Sequence, residues 1–180
     1  SIGPTPISNG QALSGGNTFV SGRVTALVVD PTNANNVYLG TAQGGVWRSL
    51  DGGTTWASIF DDAQSLAIGA LALAPSDPTI LYVGTGEFNS CGDCFFGSGL
   101  YRIDTVSTTP SLVGPINPSQ TIGNFTYPVF NGRGITKIVV DPANAATIFV
   151  STGRGIGGSG GNAFGLVPNL ATRGLWRSTN

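Results

Sequence analysis

The chain says the same thing three times. Residues 24–41 (VTALVVDPTNANNVYLGT), 68–85 (IGALALAPSDPTILYVGT) and 135–152 (ITKIVVDPANAATIFVST) each read as apolar strand, proline turn, apolar strand, small residue, threonine. Aligned on Pro31, Pro75 and Pro142, an aromatic follows at the same distance in every copy, at Tyr38, Tyr82 and Phe149. Strand lengths and turn are therefore held constant, and only what lies between the copies varies. An internal repeat of this size, built from strands and turns alone, restricts the chain to a propeller or an array.

Each unit reads as four short strands. In the first they are placed at 24–29, 36–40, 45–49 and 55–60, all rich in Val, Leu, Ile, Trp or Tyr and separated by Pro, Asn or Gly turns. The turn Asp30-Pro31-Thr32-Asn33 has proline where φ must lie near −65° and Asn where a side chain can bond nearby backbone. The expected fold is all-β, a β-propeller of four-stranded antiparallel blades with about three blades present, as part of a larger propeller. The expected division is a lead-in or closing strand over 1–22, blade 1 over 23–66, blade 2 with a cysteine-containing insertion over 67–131, and an incomplete blade 3 over 132–180.

Antiparallel strands send alternate loops to opposite faces. The interval from second-strand Thr to third-strand aromatic widens from Thr41–Trp47 to Thr85–Tyr101 to Thr152–Trp176. The stretch 105–132, read as a long connection between blades, opens on the same face. Repeat proteins elaborate the face they use, so this top face is where function is expected.

Composition narrows the classes. Only 9% of residues are charged, and the net charge is −1 with a single lysine, Lys137. The basic footprint of a phosphate-backbone binder is missing, which argues against nucleic acid. No apolar run is long enough to span a bilayer, and no basic segment leads into a signal-type apolar stretch; a leader is either removed or the chain starts inside a longer one. Cys91 and Cys94 sit in a Gly-rich segment without helical pattern, and histidine is absent. A loop-closing disulfide is expected ahead of free thiols, and both ahead of metal or redox chemistry. Neither a metal nor a cofactor is expected.

Gly45-Val46-Trp47-Arg48-Ser49 runs into Ser49-Leu50-Asp51-Gly52-Gly53-Thr54-Thr55-Trp56, the pattern S-x-D-x-G-x-T-W. With Gly22-Arg23-Val24-Thr25-Ala26-Leu27-Val28-Val29-Asp30-Pro31 and Tyr82-Val83-Gly84-Thr85-Gly86-Glu87, it resembles the Asp-box (BNR) β-propellers, in particular secreted bacterial members related to sortilin and to xyloglucanase-type glycosidases. The resemblance implies an extracellular or cell-surface setting and a divided record of sugar hydrolysis, carbohydrate binding and protein binding. Within it Ser49, Asp51, Gly53, Thr55 and Trp56 are structural, with Asp51 bonding its own turn and Trp56 packing beneath. The second copy has lost the box and the third stops inside it. In xyloglucanase-type relatives a catalytic Asp follows the Thr that ends the second strand of the first blade; here that place is Ala42.

A glycosidase needs two carboxylates across a cleft. Glu87 and Asp93 flank one loop, but the plainer reading makes Glu87 a cap on backbone amides and Asp93 a turn residue. Arg23 and Arg133 lie near the channel mouth and Arg154 begins a Gly-rich insertion; they form either an anion site or bonds to loop carbonyls. Arg48, Arg102 and Arg177 recur after the third-strand aromatic, which marks them as structural. Phe88, Phe95, Phe96 and Phe164 fall in the top-face insertions, where they pack the loops together or meet a partner. Asn124-Phe125-Thr126 is a glycosylation sequon on an expected outer loop. The expected role is a binding or scaffold module for protein or carbohydrate, using Glu87, Phe88, Phe95, Phe96, Arg154, Phe164, Arg23 and Arg133. The alternatives are part of a carbohydrate-active glycoside hydrolase, or a structural subunit of an extracellular assembly. The remaining blades would come from a longer chain or from other subunits.

Overall fold

The computed structural model describes residues 22–88, 95–155 and 171–179. Among them there is no helix, and the strands form successive antiparallel sheets whose spatial order is their chain order. The first sheet is β1 (Val24–Asp30), β2 (Asn33–Thr41), β3 (Val46–Ser49) and β4 (Ala57–Ser58). The second is β5 (Ile68–Ala74), β6 (Asp77–Thr85), β7 (Leu100–Asp104) and β8 (Ser111–Ile116). A hairpin of β9 (Ser119–Ile122) and β10 (Phe125–Pro128) precedes the third sheet, β11 (Arg133–Asp141), β12 (Asn144–Gly155) and β13 (Leu175–Ser178). These are propeller blades.

The repeat has a physical reason at each punctuating residue. After each proline, at the same offset, comes Asn33, Asp77 or Asn144, whose side-chain oxygen accepts the backbone N–H of Asn35, Thr79 or Ala146 at 3.1, 3.1 and 3.0 Å. These Asx turns reverse the chain within two residues, which fixes the register of each first pair of strands. The recurring Thr at the end of the second strand clamps the neck of the loop that follows. Thr41 Oγ1 accepts Gly44 N–H at 2.8 Å and donates to Gly45 O at 3.0 Å. Thr85 Oγ1 accepts Ser98 and Gly99 N–H, both at 3.0 Å, and donates to Gly99 O at 2.6 Å. Thr152 Oγ1 accepts Gly174 N–H at 3.1 Å. Loops of very different length thus leave the sheet through the same closed neck, and that is why insertions are tolerated there.

Between blades the core is layered. Tyr38, Val46 and Phe60 of the first unit meet Ile68, Leu73, Leu81, Val83, Tyr101 and Ile103 of the second. Ala70, Ala74, Tyr82 and Leu100 of the second meet Ile135, Ile138, Val140, Ile148 and Val150 of the third. Glycine makes the approach possible at one repeated place. A Cβ on Gly40 would lie 2.4 Å from Ile68 Cγ2, and one on Gly84 would lie 2.3 Å from Ile135 Cγ2. Each isoleucine is a knob in a glycine slot of the preceding blade. Arg48 adds a polar strap, donating from Nη1 to Val106 O at 2.7 Å and Thr108 O at 2.9 Å. Arg102 pairs with Asp104, and the Arg177 guanidinium lies over the Phe149 ring at 5.7 Å.

The segment from Ser49 to Trp56 closes on itself. Ser49 Oγ accepts Gly53 N–H at 2.8 Å and donates to Asp51 Oδ1 at 2.7 Å; Asp51 accepts the Thr55 N–H at 2.8 Å and the Thr55 hydroxyl at 2.6 Å. The Thr55 hydroxyl first, then the Thr55 amide and Ser49, hold the Asp51 carboxyl down at about 2, below its ordinary 3.8. A lowered folded pKa gives stability that is full above the ordinary value and is lost as pH falls through the folded one. Acidification from pH 4 to 2 is therefore expected to lower the unfolding temperature, and Asp51→Asn to flatten that slope in calorimetric scans. An unchanged slope in the variant would refute this assignment. Asp30 adds to the same window: burial opposes its ionisation, but Thr32 and Asn36 hydrogen bonds outweigh it and lower its pKa.

Two readings are corrected. The stretch 105–132 is not one long connection; it holds β8, the fourth strand of its blade, and the β9–β10 hairpin. A tight turn at Thr105, with φ 50° and Thr108 N–H on Thr105 O at 3.0 Å, reverses the chain between β7 and β8. The fourth strand of the first blade is only Ala57–Ser58, because Ser49, Asp51 and Thr55 bond the turn to itself and leave two residues for the ladder.

Candidate functional site

The described parts of the loops joining second to third strands, and of those joining fourth strands to the next blade, gather at one face. Between the first two blades they leave an open cleft of about 380 Å³. Its apolar wall is Phe95 and Phe96, both with ring surface exposed, beside Leu66 and Ala67. Its polar wall is Gln43, Gln64 and Asn131 with Ser65 and Ser98. All of these come from the face that the widening loops single out.

The floor is held firmly. Tyr101, almost wholly buried, accepts Gln64 N–H at 3.2 Å on its hydroxyl and shares a 3.0 Å hydrogen bond with Ser98 Oγ, while its ring meets Phe60 edge-on at 5.1 Å. Ser65 Oγ donates to Phe96 O at 3.1 Å, tying the two sides of the cleft together. Gly97 N–H donates to Arg133 O at 2.8 Å, and Gly132 N–H to Gly97 O at 2.9 Å. Asn117 bonds Ser98 O through Nδ2 at 3.0 Å and accepts Phe130 N–H at 2.8 Å. Residues Phe96, Gly97 and Ser98, beside Phe95, are thus held to both neighbouring segments of the cleft.

The predicted residues separate. Phe95 and Phe96 line the cleft. Phe88 instead lies across the next blade, its ring 2.8 Å from where a Cβ on Gly153 would sit. The Glu87 side chain is wholly buried and pairs with Arg23, which is 48% exposed, linking the first two blades. A carboxylate at that depth is tolerated because a guanidinium meets it. Arg133 bonds a loop carbonyl, with Nε at 3.1 Å and Nη2 at 2.5 Å from Ala171 O. Burial, then the neighbouring Arg173, lowers its pKa. Ala42 is buried, its N–H on Arg23 O at 2.9 Å. Cys91, Asp93, Cys94, Phe164 and the Arg154 side chain lie outside the described residues, and with them the expected disulfide.

The amides of the cleft were not anticipated from sequence. Gln43, Gln64 and Asn131 carry no motif, and only their place in top-face loops could have singled them out. Among the described residues no carboxylate lines the cleft, and no group of His, Cys, Asp or Glu is arranged to hold a metal. No described helix is long and apolar enough to cross a membrane. The arrangement offers aromatic faces for stacking and neutral amides that both donate and accept, within the usual size range of a ligand site.

Fold and cleft together define a propeller with a neutral, aromatic-lined top-face site. No model of a known protein family matches the sequence. The chain is 26% identical over 188 aligned residues to an oligoxyloglucan-reducing end-specific xyloglucanase of Emericella nidulans, covering 81% of this chain and 23% of that protein. It is 24% identical to a probable enzyme of the same description from Neosartorya fischeri, covering 77% of this chain and 22% of that one. This chain therefore spans about a quarter of the length of the curated relatives it matches. Among solved structures it superposes on an ancestral GH74 enzyme with a TM-score of 0.56 at 18% identity, covering 88% of this chain and 17% of that one. It superposes on a GH74 enzyme of Niastella koreensis with a TM-score of 0.54 at 24% identity, covering 88% and 21%. These likenesses bear out the propeller fold.

Proposed function

We propose that this chain is part of a carbohydrate-active glycoside hydrolase propeller, and that its blades supply a saccharide-binding cleft beside the chemistry. The observation that carries the reading is the similarity to two xyloglucanases across about four fifths of the chain. The cleft agrees with it in kind: Phe95 and Phe96 offer faces to the C–H surface of a pyranose ring, and Gln43, Gln64 and Asn131 can bond hydroxyls. Binding through top-face loops, the role read first from the sequence, becomes the contribution of these blades to a hydrolase. With Ala42 in the place where the resemblance puts a catalytic Asp, the reacting carboxylates belong elsewhere in the assembled enzyme. The Asp-box reading of Ser49, Asp51, Gly53, Thr55 and Trp56, an extracellular setting and a Cys91–Cys94 closure belong to the same proposal.

Titration of the chain with xyloglucan oligosaccharides by calorimetry is expected to show binding, and Phe95→Ala and Phe96→Ala each to weaken it about tenfold, the loss of roughly 1.4 kcal/mol of stacking. Binding unaltered by both substitutions would sink the assignment of the cleft. Failure of the polypeptide, as its source makes it, to hydrolyse any member of an oligosaccharide panel would sink the hydrolase reading.

A further inference from the structure

From Thr105 to Gly132 no residue is charged, and the segment surrounds a few aromatics with hydroxyl and amide side chains. At its centre β9 and β10 form a hairpin that pairs with no strand of the described blades. Every residue from Thr121 to Thr126 is exposed, with Ile122 at 40% and Phe125 at 62%. A two-stranded hairpin by itself is marginal in water, so its support must come from the base. There Val129 N–H donates to Pro118 O at 2.7 Å, Val129 and Phe130 are buried, and Phe130 meets the Trp176 ring edge-on at 6.3 Å. Gln120 Oε1 adds a brace, accepting Thr172 N–H at 2.9 Å. The arm is firmly mounted, yet its outer part carries apolar side chains that the described blades do not bury.

Strand register sorts these side chains. Phe125 stands opposite Ile122 and Tyr127 opposite Gln120, so alternation puts all four on one face of the hairpin. The Thr121 and Thr126 hydroxyls share a 3.1 Å hydrogen bond on the other. The Phe125 and Tyr127 ring centroids are 6.3 Å apart and their planes are tilted by only 31°, nearer parallel than edge to face. We propose that this face is a second saccharide-binding platform, on which a neutral glycan chain stacks its pyranose rings across Phe125 and Tyr127. Aromatic faces suit the C–H surface of a sugar, and the neutral surroundings ask for no countercharge. A protein-docking patch would bring arginine with its aromatics, and this segment has none. Its position agrees. β10 leads at Pro128 into Asn131 of the cleft's polar wall, and Asn117, just before β9, bonds Ser98 O and Phe130 N–H. The arm therefore springs from the rim of the cleft. The inference rests on the carbohydrate-active reading of the chain, though not on the cleft being a site that binds.

The test is binding of the 180-residue chain to immobilised xyloglucan by surface plasmon resonance. It compares Phe125→Ala/Tyr127→Ala, Phe95→Ala/Phe96→Ala and the two pairs combined, with Leu50→Ala as a control for loss of an exposed apolar side chain elsewhere. The expected result is affinity lowered about tenfold by the hairpin pair, with the cleft intact or substituted, while unfolding temperature and sedimentation mass stay unchanged. Leu50→Ala should change nothing. Affinity unmoved by the hairpin pair overturns the platform, and the cleft stands if its own pair weakens binding. The converse pattern upholds the platform and strikes the cleft. A lowered unfolding temperature in Phe125→Ala/Tyr127→Ala overturns the proposal in favour of packing within the chain, and a lowered mass in favour of contact with a second copy. Absence of binding by the unsubstituted chain overturns it outright, while hydrolysis by the polypeptide as its source makes it tests the carbohydrate-active reading separately.

Discussion

Gly84→Val is expected to destabilise the protein by about 3 kcal/mol, at the upper end of what overpacking costs. The cause is space alone. The new Cβ would lie 2.3 Å from Ile135 Cγ2, 2.7 Å from Ile135 Cβ and 3.3 Å from Ile138 Cδ1. A compensating variant separates this from a general intolerance of β-branched residues in β6. If the clash is the cause, Ile135→Ala, which removes the Cγ2 at 2.3 Å though not the Cβ, should cost less in the Gly84→Val background than alone, a coupling readable in a urea double-mutant cycle. Additive losses would refute the knob-and-slot account.

Thr85→Val is expected to cost about 3 kcal/mol while changing almost no volume. The hydroxyl is fully buried and makes three hydrogen bonds, accepting Ser98 and Gly99 N–H and donating to Gly99 O. A valine leaves two amides at the loop neck with a methyl group in place of an acceptor. Because Phe95 and Phe96 ride on that loop, the same substitution should weaken any ligand of the cleft. Thr85→Ser, which restores the hydroxyl, should recover most of both. Unfolding free energy and ligand affinity measured on the pair decide the matter. Loss of stability with ligand affinity intact would show that the neck does not position the phenylalanines.

The sequence made the blades readable because every repeated residue answers a local demand. The turn Asn or Asp bonds an amide two positions on, and the strand-ending Thr closes a loop on itself; neither needs a distant partner to be recognised as punctuation. The structural role given to Arg48 was readable from its period, though not its grip on Val106 and Thr108 in the next blade. The top face was also legible, from loop growth alone. What escaped were pairings across blades. The pairing of Glu87 with Arg23 was not readable because the two are far apart in the chain and meet only when two blades pack. The β9–β10 hairpin escaped because Ser119–Ile122 and Phe125–Pro128 are short, include proline, and lie outside the repeat that guided the eye. Cleft residues such as Gln64 and Asn131 have ordinary side chains made notable only by assembly.

The agreement between strand order in each sheet and strand order in the chain bears on how the molecule is made. Every sheet is a ladder of sequence neighbours, so its pairings form with short loop closures as the chain leaves the ribosome. The hydrophobic layers, by contrast, lie between sheets, and each is sealed only when the next blade has been synthesised. Growth therefore proceeds with one sticky leading face at a time, renewed and then buried by each addition. During synthesis the period of greatest risk falls between blades, when a side chain such as Tyr82 has its own strand but awaits Ile135, Ile138 and Ile148 of the next blade.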